Sequence, residues 1–222
     1  MKLAVFDLDG TLVDSFADIA AAVNHVLALL GRPALATERV RQSVGRGLEN
    51  LLREILPEDL QAELPRAVAQ MKSYYMDHPV DRSTLYHGVN EVLDALGEKG
   101  VIRAVLSNKA DPVVGRICDL LGLSERLELA LGHQPGAGLK PDPAPLLGIL
   151  EQFGLPPSEC LVVGDGLPDW ELAGAAGSPF CAVSYGIVPR ERWESLGVSR
   201  IVDTLPDLLD IGIWNGRGPR AS

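Results

Sequence analysis

The sequence predicts an α/β fold: a Rossmann-like core with a parallel sheet, and an α-helical insert placed directly after its first strand. Three observations carry this. Residues 3–6, LAVF, form a short apolar run that ends in polar residues, as a buried strand does. From Tyr86 onward, apolar runs of strand length alternate with segments of helical periodicity, the pattern of a mostly parallel sheet covered on both faces. Between Asp14 and Pro79 no strand pattern occurs, so that stretch reads as helices alone. The expected division is a core of residues 1–14 and 82–222 and a helical cap of residues 15–81.

Taken in order, the elements follow from local chemistry. Phe16, Ile19, Ala20, Val23, Val26, Leu27 and Leu30 recur at helical spacing until Gly31 and Pro33 close the helix. Thr37 is expected to cap a short helix reaching Val44, Gly45-Arg46-Gly47 interrupts, and Leu48 to Leu56 resumes. Glu58 to about Met76 is a further helical stretch, which Pro65 is expected to break. Val89, Val92, Leu93 and Leu96 mark a helix, and residues 101–108, VIRAVLSN, a strand. Asp111-Pro112 and Asp142-Pro143 each offer a cap followed by proline at the start of a helix. Residues 127–133, 160–165 and 180–186 are strands, 168–176 is a short helix, and Ile201-Val202 with a last helix completes the core. The Gly- and Arg-rich tail, residues 212–222, is expected to fray.

Composition narrows the function. The chain has 222 residues, 46% hydrophobic and 23% charged, enough for one or two domains with a sizeable core. A net charge of -10 argues against nucleic acid or an anionic membrane surface as a general partner. No apolar run approaches the length that spans a bilayer, and an N-terminus that enters a strand bearing Asp7 and Asp9 does not read as a signal peptide. Cys118, Cys160 and Cys181 are scattered without CxxC spacing, which suits buried thiols in a reducing compartment, so a cytoplasmic monomer or homodimer is expected.

Polar groups gather where the strands end. Asp7 and Asp9 stand two apart after the first strand, so on an extended chain both side chains leave on the same side. Ser107-Asn108-Lys109 ends a second strand, and Asp165, with Asp169 four residues on, ends a third. Lys140 lies in LKPDP on the loop that opens a helix. In a parallel sheet the carboxyl ends share one edge, the usual place for a ligand. Carboxylates there suit a hard cation such as Mg2+, and hydroxyl, amide and ammonium donors suit a phosphoryl group. A carboxylate held against that group can attack phosphorus, and a second can protonate the leaving oxygen.

The residues DLDGT, Ser107, Lys140 in KPDP, and GDGLPD resemble, in order, the four motifs of the haloacid dehalogenase-like phosphatases, and the resemblance runs to about residue 210. It implies that Asp7 is the nucleophile and Asp9 the general acid/base. It implies Mg2+ held by Asp7, the main-chain carbonyl of Asp9 and Asp165, with Asp169 behind it or paired to Lys140. Ser107 and Lys140 would grip the phosphoryl oxygens, helped by Gly10, Thr11 and Asn108. The chain departs from the pattern at Gly166, where family members often carry serine. Within the family, DLDGTLVDSFADIAAAVN, VGRGLENLL, SNK, KPDPAPLL and VSYG look most like the phosphoglycolate phosphatases, which implies 2-phosphoglycolate as the small phosphorylated metabolite acted upon. Gly45, Arg46 and Gly47 would then present amides and a cation to a small carboxylate or phosphate, although two glycines that break a helix would read the same way.

Other readings remain in view. The same motifs serve a phosphatase or phosphomutase acting on a sugar phosphate, a nucleotide monophosphate or pyrophosphate, and a non-catalytic phosphate-binding protein could keep the fold. GRGLEN, residues 45–50, is not preceded by a strand and is not a dinucleotide loop. His25, His78, His87 and His133 have no ligand spacing, and Trp170 and Trp193 read as packing residues.

Overall fold

The computed structural model describes residues 1–214. Its main sheet has six strands: β1 (Leu3–Phe6), β4 (Ile102–Ala110), β5 (Leu129–His133), β6 (Cys160–Gly164), β7 (Phe180–Val183) and β8 (Ile201–Val202). They lie in the order β5-β4-β1-β6-β7-β8, and every pairing is parallel. β1 is central, flanked on both edges, so both of its faces are buried and its sequence is continuously apolar. Alternation along β1 sends Ala4 and Phe6 to one apolar cluster and Leu3 and Val5 to the other. The first cluster contains α5 (Val89–Glu98) and α6 (Asp111–Leu120); the second contains α7 (Ala144–Phe153) and α8 (Leu167–Ala176). Trp193 on α9 (Arg190–Ser195) is fully buried against β7, as a packing residue.

The insert that follows β1 holds four helices: α1 (Phe16–Leu29), α2 (Thr37–Arg41), α3 (Leu48–Ile55) and α4 (Leu64–Asp77). Their apolar faces pack on one another, with Val23, Leu52 and Met71 buried, and they join the same cluster as Phe6. Each buried aliphatic side chain of this kind contributes about 1.5–3 kcal/mol. Where the chain leaves and re-enters the sheet layer, β2 (Val13–Asp14) pairs antiparallel with β3 (Thr84–Leu85). Asp18, buried on α1, secures this junction: its carboxylate accepts the Arg82 and Ser83 N–H groups, at 2.8–3.1 Å, and the Ser83 hydroxyl at 2.6 Å. Hydrogen bonds of this number compensate a buried charge.

Several expectations are corrected at element ends. Pro65 does not break a helix; it sits in the first turn of α4, where a missing N–H removes nothing, and a 3-10 turn (Glu58–Glu63) precedes it. Thr37 is the first residue of α2 and Ala36 occupies the cap position. Asp111 likewise lies inside α6, and its Oδ1 accepts the Gly132 N–H at 2.8 Å across to β5. Asp142 stands one residue before the cap position, which Pro143 occupies, although its Oδ1 accepts the Ala144 N–H at 2.9 Å. β4 runs on to Ala110, whereas β7 ends at Val183, so Ser184 to Gly186 form a loop. The last expected helix is a 3-10 turn (Leu205–Leu209). The expected fraying does not hold at 212–214: the Trp214 indole donates to the Leu208 carbonyl at 2.7 Å, while residues 215–222 lie outside the described residues. Among the described residues no helix is long and apolar enough to cross a membrane.

Candidate active site

The carboxyl edge of β1, β4 and β6 forms the floor of a cleft whose other wall comes from α1, α3 and α4. Asp7 directly follows β1 and is still held by the sheet, its N–H donating to the Val163 carbonyl at 2.9 Å. Its Oδ1 accepts the Leu8 N–H at 2.7 Å and lies 2.8 Å from Lys140 Nζ. Asp165 directly follows β6; its Oδ1 accepts the Thr11 hydroxyl at 3.0 Å and its Oδ2 the Ile187 N–H at 2.8 Å. Backbone approaches this carboxylate so closely that only glycine fits: a Cβ on Gly10, at φ +84, or on Gly186 would lie 2.1 Å from an Asp165 side-chain atom. Asp169, in the first turn of α8, accepts the Gly166 N–H at 3.1 Å through Oδ2. A main-chain donor therefore stands at Gly166.

Lys140 ties the acids together. Its ammonium donates to Asp169 Oδ1 at 2.7 Å and to the Leu106 carbonyl at 2.9 Å, and pairs with Asp7 Oδ1 at 2.8 Å. Burial works against its charge, but Asp169 and Asp7 outweigh it and hold its pKa above the ordinary lysine value. For Asp7, burial pushes the pKa up from 3.8 to about 7, with Lys140 pulling it down and Asp169 adding to the rise. Asp165 is raised by burial, then by Asp7 and Asp169. Asp7, Asp165 and Asp169 each offer an oxygen within 4.8 Å of the others. One ammonium, paired with two of three clustered carboxyl groups, is too little positive charge to keep all three ionised, and the donor set is oxygen only. Both properties fit a hard divalent cation such as Mg2+.

The remaining expected residues fall into two groups. Ser107, buried in β4, faces the cleft, and its Oγ accepts the Lys109 N–H at 3.3 Å. Asp9 also lines the cleft, its Oδ1 accepting from Ser15 Oγ and from Lys109 Nζ, the latter at 2.6 Å. By contrast, Gly10, Thr11 and Asn108, expected to help with phosphate, have the polar groups seen here engaged elsewhere. The Gly10 N–H closes a turn to the Val13 carbonyl at 2.9 Å, and the Thr11 hydroxyl goes to Asp165. The Asn108 side chain bridges the Gly45 and Lys140 carbonyls, at 2.9 and 3.0 Å, and accepts the Lys140 N–H at 2.7 Å. These contacts hold Asp165 and Lys140 in place. Gly45 and Gly47 line the cleft, but Arg46 is exposed outside it, 3.9 Å from Glu171.

Sequence reasoning missed Lys109 and Tyr75 as cleft residues. Lys109 Nζ lies 3.0 Å from the Tyr75 hydroxyl and 4.4 Å from that ring's centroid, below α4. Burial opposes its charge, Asp9 and Tyr75 more than offset this, and its pKa is raised. Burial pushes the Tyr75 phenol up to about 12, so it stays protonated. The one available signal was the position of Lys109 in the Ser107-Asn108-Lys109 run; nothing in the helical periodicity of 64–77 distinguishes Tyr75 from a core aromatic. Ile19, Val44, Leu48, Leu51 and Met71 complete an apolar wall.

Residues 4–183 match the family described as haloacid dehalogenase-like hydrolase. The chain belongs to that family. It is 34% identical over 212 residues to a phosphoglycolate phosphatase of Thiobacillus denitrificans, covering 93% of each chain. It is 38% identical over 192 residues to a phosphoglycolate phosphatase of Pseudomonas syringae pv. tomato, covering 83% of this chain and 70% of that one. Among solved structures, a protein of Haemophilus somnus 129PT described as a predicted phosphoglycolate phosphatase superposes with a TM-score of 0.85 at 32% identity, covering 95% of this chain and 97% of that one. A protein of Lactobacillus delbrueckii subsp. bulgaricus superposes with a TM-score of 0.88 at 26% identity, covering 97% and 99%. The sheet-edge acids of this haloacid dehalogenase-like hydrolase all fall within the matched residues.

Proposed function

We propose that this hydrolase is a Mg2+-dependent phosphatase of small phosphate monoesters, with 2-phosphoglycolate its first substrate. The observation that carries the reading is the meeting of Asp7, Asp165 and Asp169 around Lys140 at one sheet edge. The relatives named phosphoglycolate phosphatase support the choice of substrate. Asp7 and Asp165, with the main-chain carbonyl of Asp9, would hold the cation. When bound, it supplies positive charge that keeps Asp7 ionised and shields it from the phosphoryl oxygens.

In the proposed reaction an Asp7 carboxylate oxygen attacks phosphorus, the ester P–O bond breaks, and Asp9 gives its proton to the departing oxygen. Asp9 then takes a proton from water, whose oxygen attacks phosphorus, releasing phosphate and restoring the Asp7 carboxylate. Ser107 donates to the phosphoryl oxygens, and Lys140 turns from Asp7 to them as charge develops there. Thr11 and Asn108 act one step back, fixing Asp165 and Lys140. Residues 15–81 serve as the cap, with Lys109 and Tyr75 on the leaving-group side and Gly45 to Gly47 at the rim, while residues 1–14 and 82–222 form the core. The three free, buried cysteines support a reducing, cytoplasmic setting.

The test is turnover on a panel holding 2-phosphoglycolate, a sugar phosphate, a nucleotide monophosphate and pyrophosphate, with and without chelator. The expected result is phosphate release led by 2-phosphoglycolate and abolished by chelation. Turnover that persists in full chelator would refute the reading, and another ester leading the panel would correct the substrate.

A further inference from the structure

The loop after β7 stands beside Asp165 on one side and the helical insert on the other. From the sheet side, the Ile187 N–H donates to Asp165 Oδ2 at 2.8 Å, and the Val188 N–H to the Asp165 carbonyl at 3.1 Å. Gly186 lies against the Asp165 Cβ with no room for a side chain. Tyr185 reaches back to the first loop, its hydroxyl donating to the Thr11 carbonyl at 2.7 Å, and Thr11 holds the other Asp165 oxygen. From the helical side, Arg41 at the end of α2 donates through Nη2 to the Gly186 carbonyl at 2.5 Å and the Tyr185 carbonyl at 3.2 Å. Its guanidinium lies 4.6 Å above the Phe16 ring, at the start of α1, and the Tyr185 ring packs 4.6 Å from Tyr86, just after β3. One crossing between sheet layer and helices thus touches this loop through Tyr86, and the other reaches it through Arg41.

We propose that Arg41 is a positioning residue for the metal site. By holding the Tyr185 and Gly186 carbonyls, it fixes the loop whose Ile187 N–H orients Asp165. The affinity of the site for a divalent cation then depends on where the helices stand. Linkage makes this reciprocal: cation binding favours the helical arrangement that keeps Arg41 on the loop. A guanidinium suits the task because its planar face stacks on Phe16 while Nη2 donates to both carbonyls, a geometry the shorter, non-planar lysine head does not reproduce at this site. The inference rests on the metal reading of Asp7 and Asp165 given above.

The test measures Mg2+ binding by calorimetry to the full chain, for wild type, Arg41→Ala, Arg41→Lys and Tyr185→Phe, with the melting temperature of each recorded. Arg41→Ala and Arg41→Lys are expected to weaken Mg2+ binding roughly tenfold, the lower end of what outer partners of metal ligands contribute. Hydrogen exchange at residues 184–188 should slow on Mg2+ addition in wild type and respond less in Arg41→Lys. Tyr185→Phe, which loses only its hydroxyl, should weaken binding less than Arg41→Ala. Wild-type affinity in folded Arg41→Lys, or a lowered melting temperature with unchanged Mg2+ affinity, would assign Arg41 a purely structural role and overturn the proposal. Failure of wild type itself to bind Mg2+ would instead remove the metal reading beneath it.

Discussion

The two walls of the cleft are built from different chemistry. On the sheet side the buried acids are answered by defined donors: Leu8 and Lys140 for Asp7, Thr11 and Ile187 for Asp165, Gly166 and Lys140 for Asp169. On the helical side the wall is mostly apolar, and its polar links to the sheet side are few, among them Tyr75 to Lys109 and the Gly45 carbonyl to Asn108. A side chain fixed by several hydrogen bonds has one geometry, whereas an apolar wall can slide and repack. Changes on the sheet side should therefore alter kcat and stability, and changes on the helical rim should do little to either.

The largest expected effect is on catalysis. Asp9→Asn should lower kcat about 10²–10⁴-fold, the usual contribution of a positioned acid/base, measured on the best ester of the panel. Next is Lys140→Met, which leaves buried Asp169 and half-buried Asp7 without their shared cation. Breaking a buried pair in this way costs about 3–5 kcal/mol, to be read from urea unfolding.

Metal addition comes third, and its sign follows from the raised acids. Asp7 titrates near 7 folded against an ordinary 3.8, so the folded chain binds more protons. Its contribution to stability is complete below the ordinary value and is lost as pH rises through about 7. In chelator, the Asp7→Asn variant should therefore gain stability relative to wild type between pH 5 and pH 8. Mg2+ at a hundredfold its pH 8 Kd should raise the melting temperature of wild type by about 5–10 °C at pH 8, and the same concentration should raise it by less at pH 5. A smaller shift at the higher pH would contradict the charge account of the site. The smallest effect belongs to the rim: Arg46→Ala should change the unfolding free energy by less than about 1 kcal/mol and leave kcat within about twofold, since its pairing with Glu171 is exposed.

This contrast also marks what could be read from sequence. Asp7, Ser107 and Asp165 were legible because each stands at or near the end of an apolar run, and a parallel sheet brings such ends together. The helical insert was legible from its period. The hydrogen bonds of Thr11 to Asp165 and of Asn108 to Gly45 and Lys140 were not, since their partners lie far along the chain and no local pattern links them. Arg41 is 144 residues from Tyr185, and no local pattern links them. The β2–β3 pair was hidden because two-residue strands have no period to detect. Pro65 misled because proline is unfavourable inside a helix but suits its first turn, and the position of that turn depended on the 3-10 segment before it.

The central claim is that the Asp7 carboxylate itself takes the phosphoryl group, and chemical trapping tests it most directly. Enzyme turning over 2-phosphoglycolate with Mg2+ is quenched, treated with borohydride and digested, and the peptide carrying residue 7 is weighed. The account predicts reduction of Asp7 to homoserine only when substrate and Mg2+ are both present. Steady phosphate release with an unmodified residue 7, and undiminished turnover in Asp7→Asn, would contradict it.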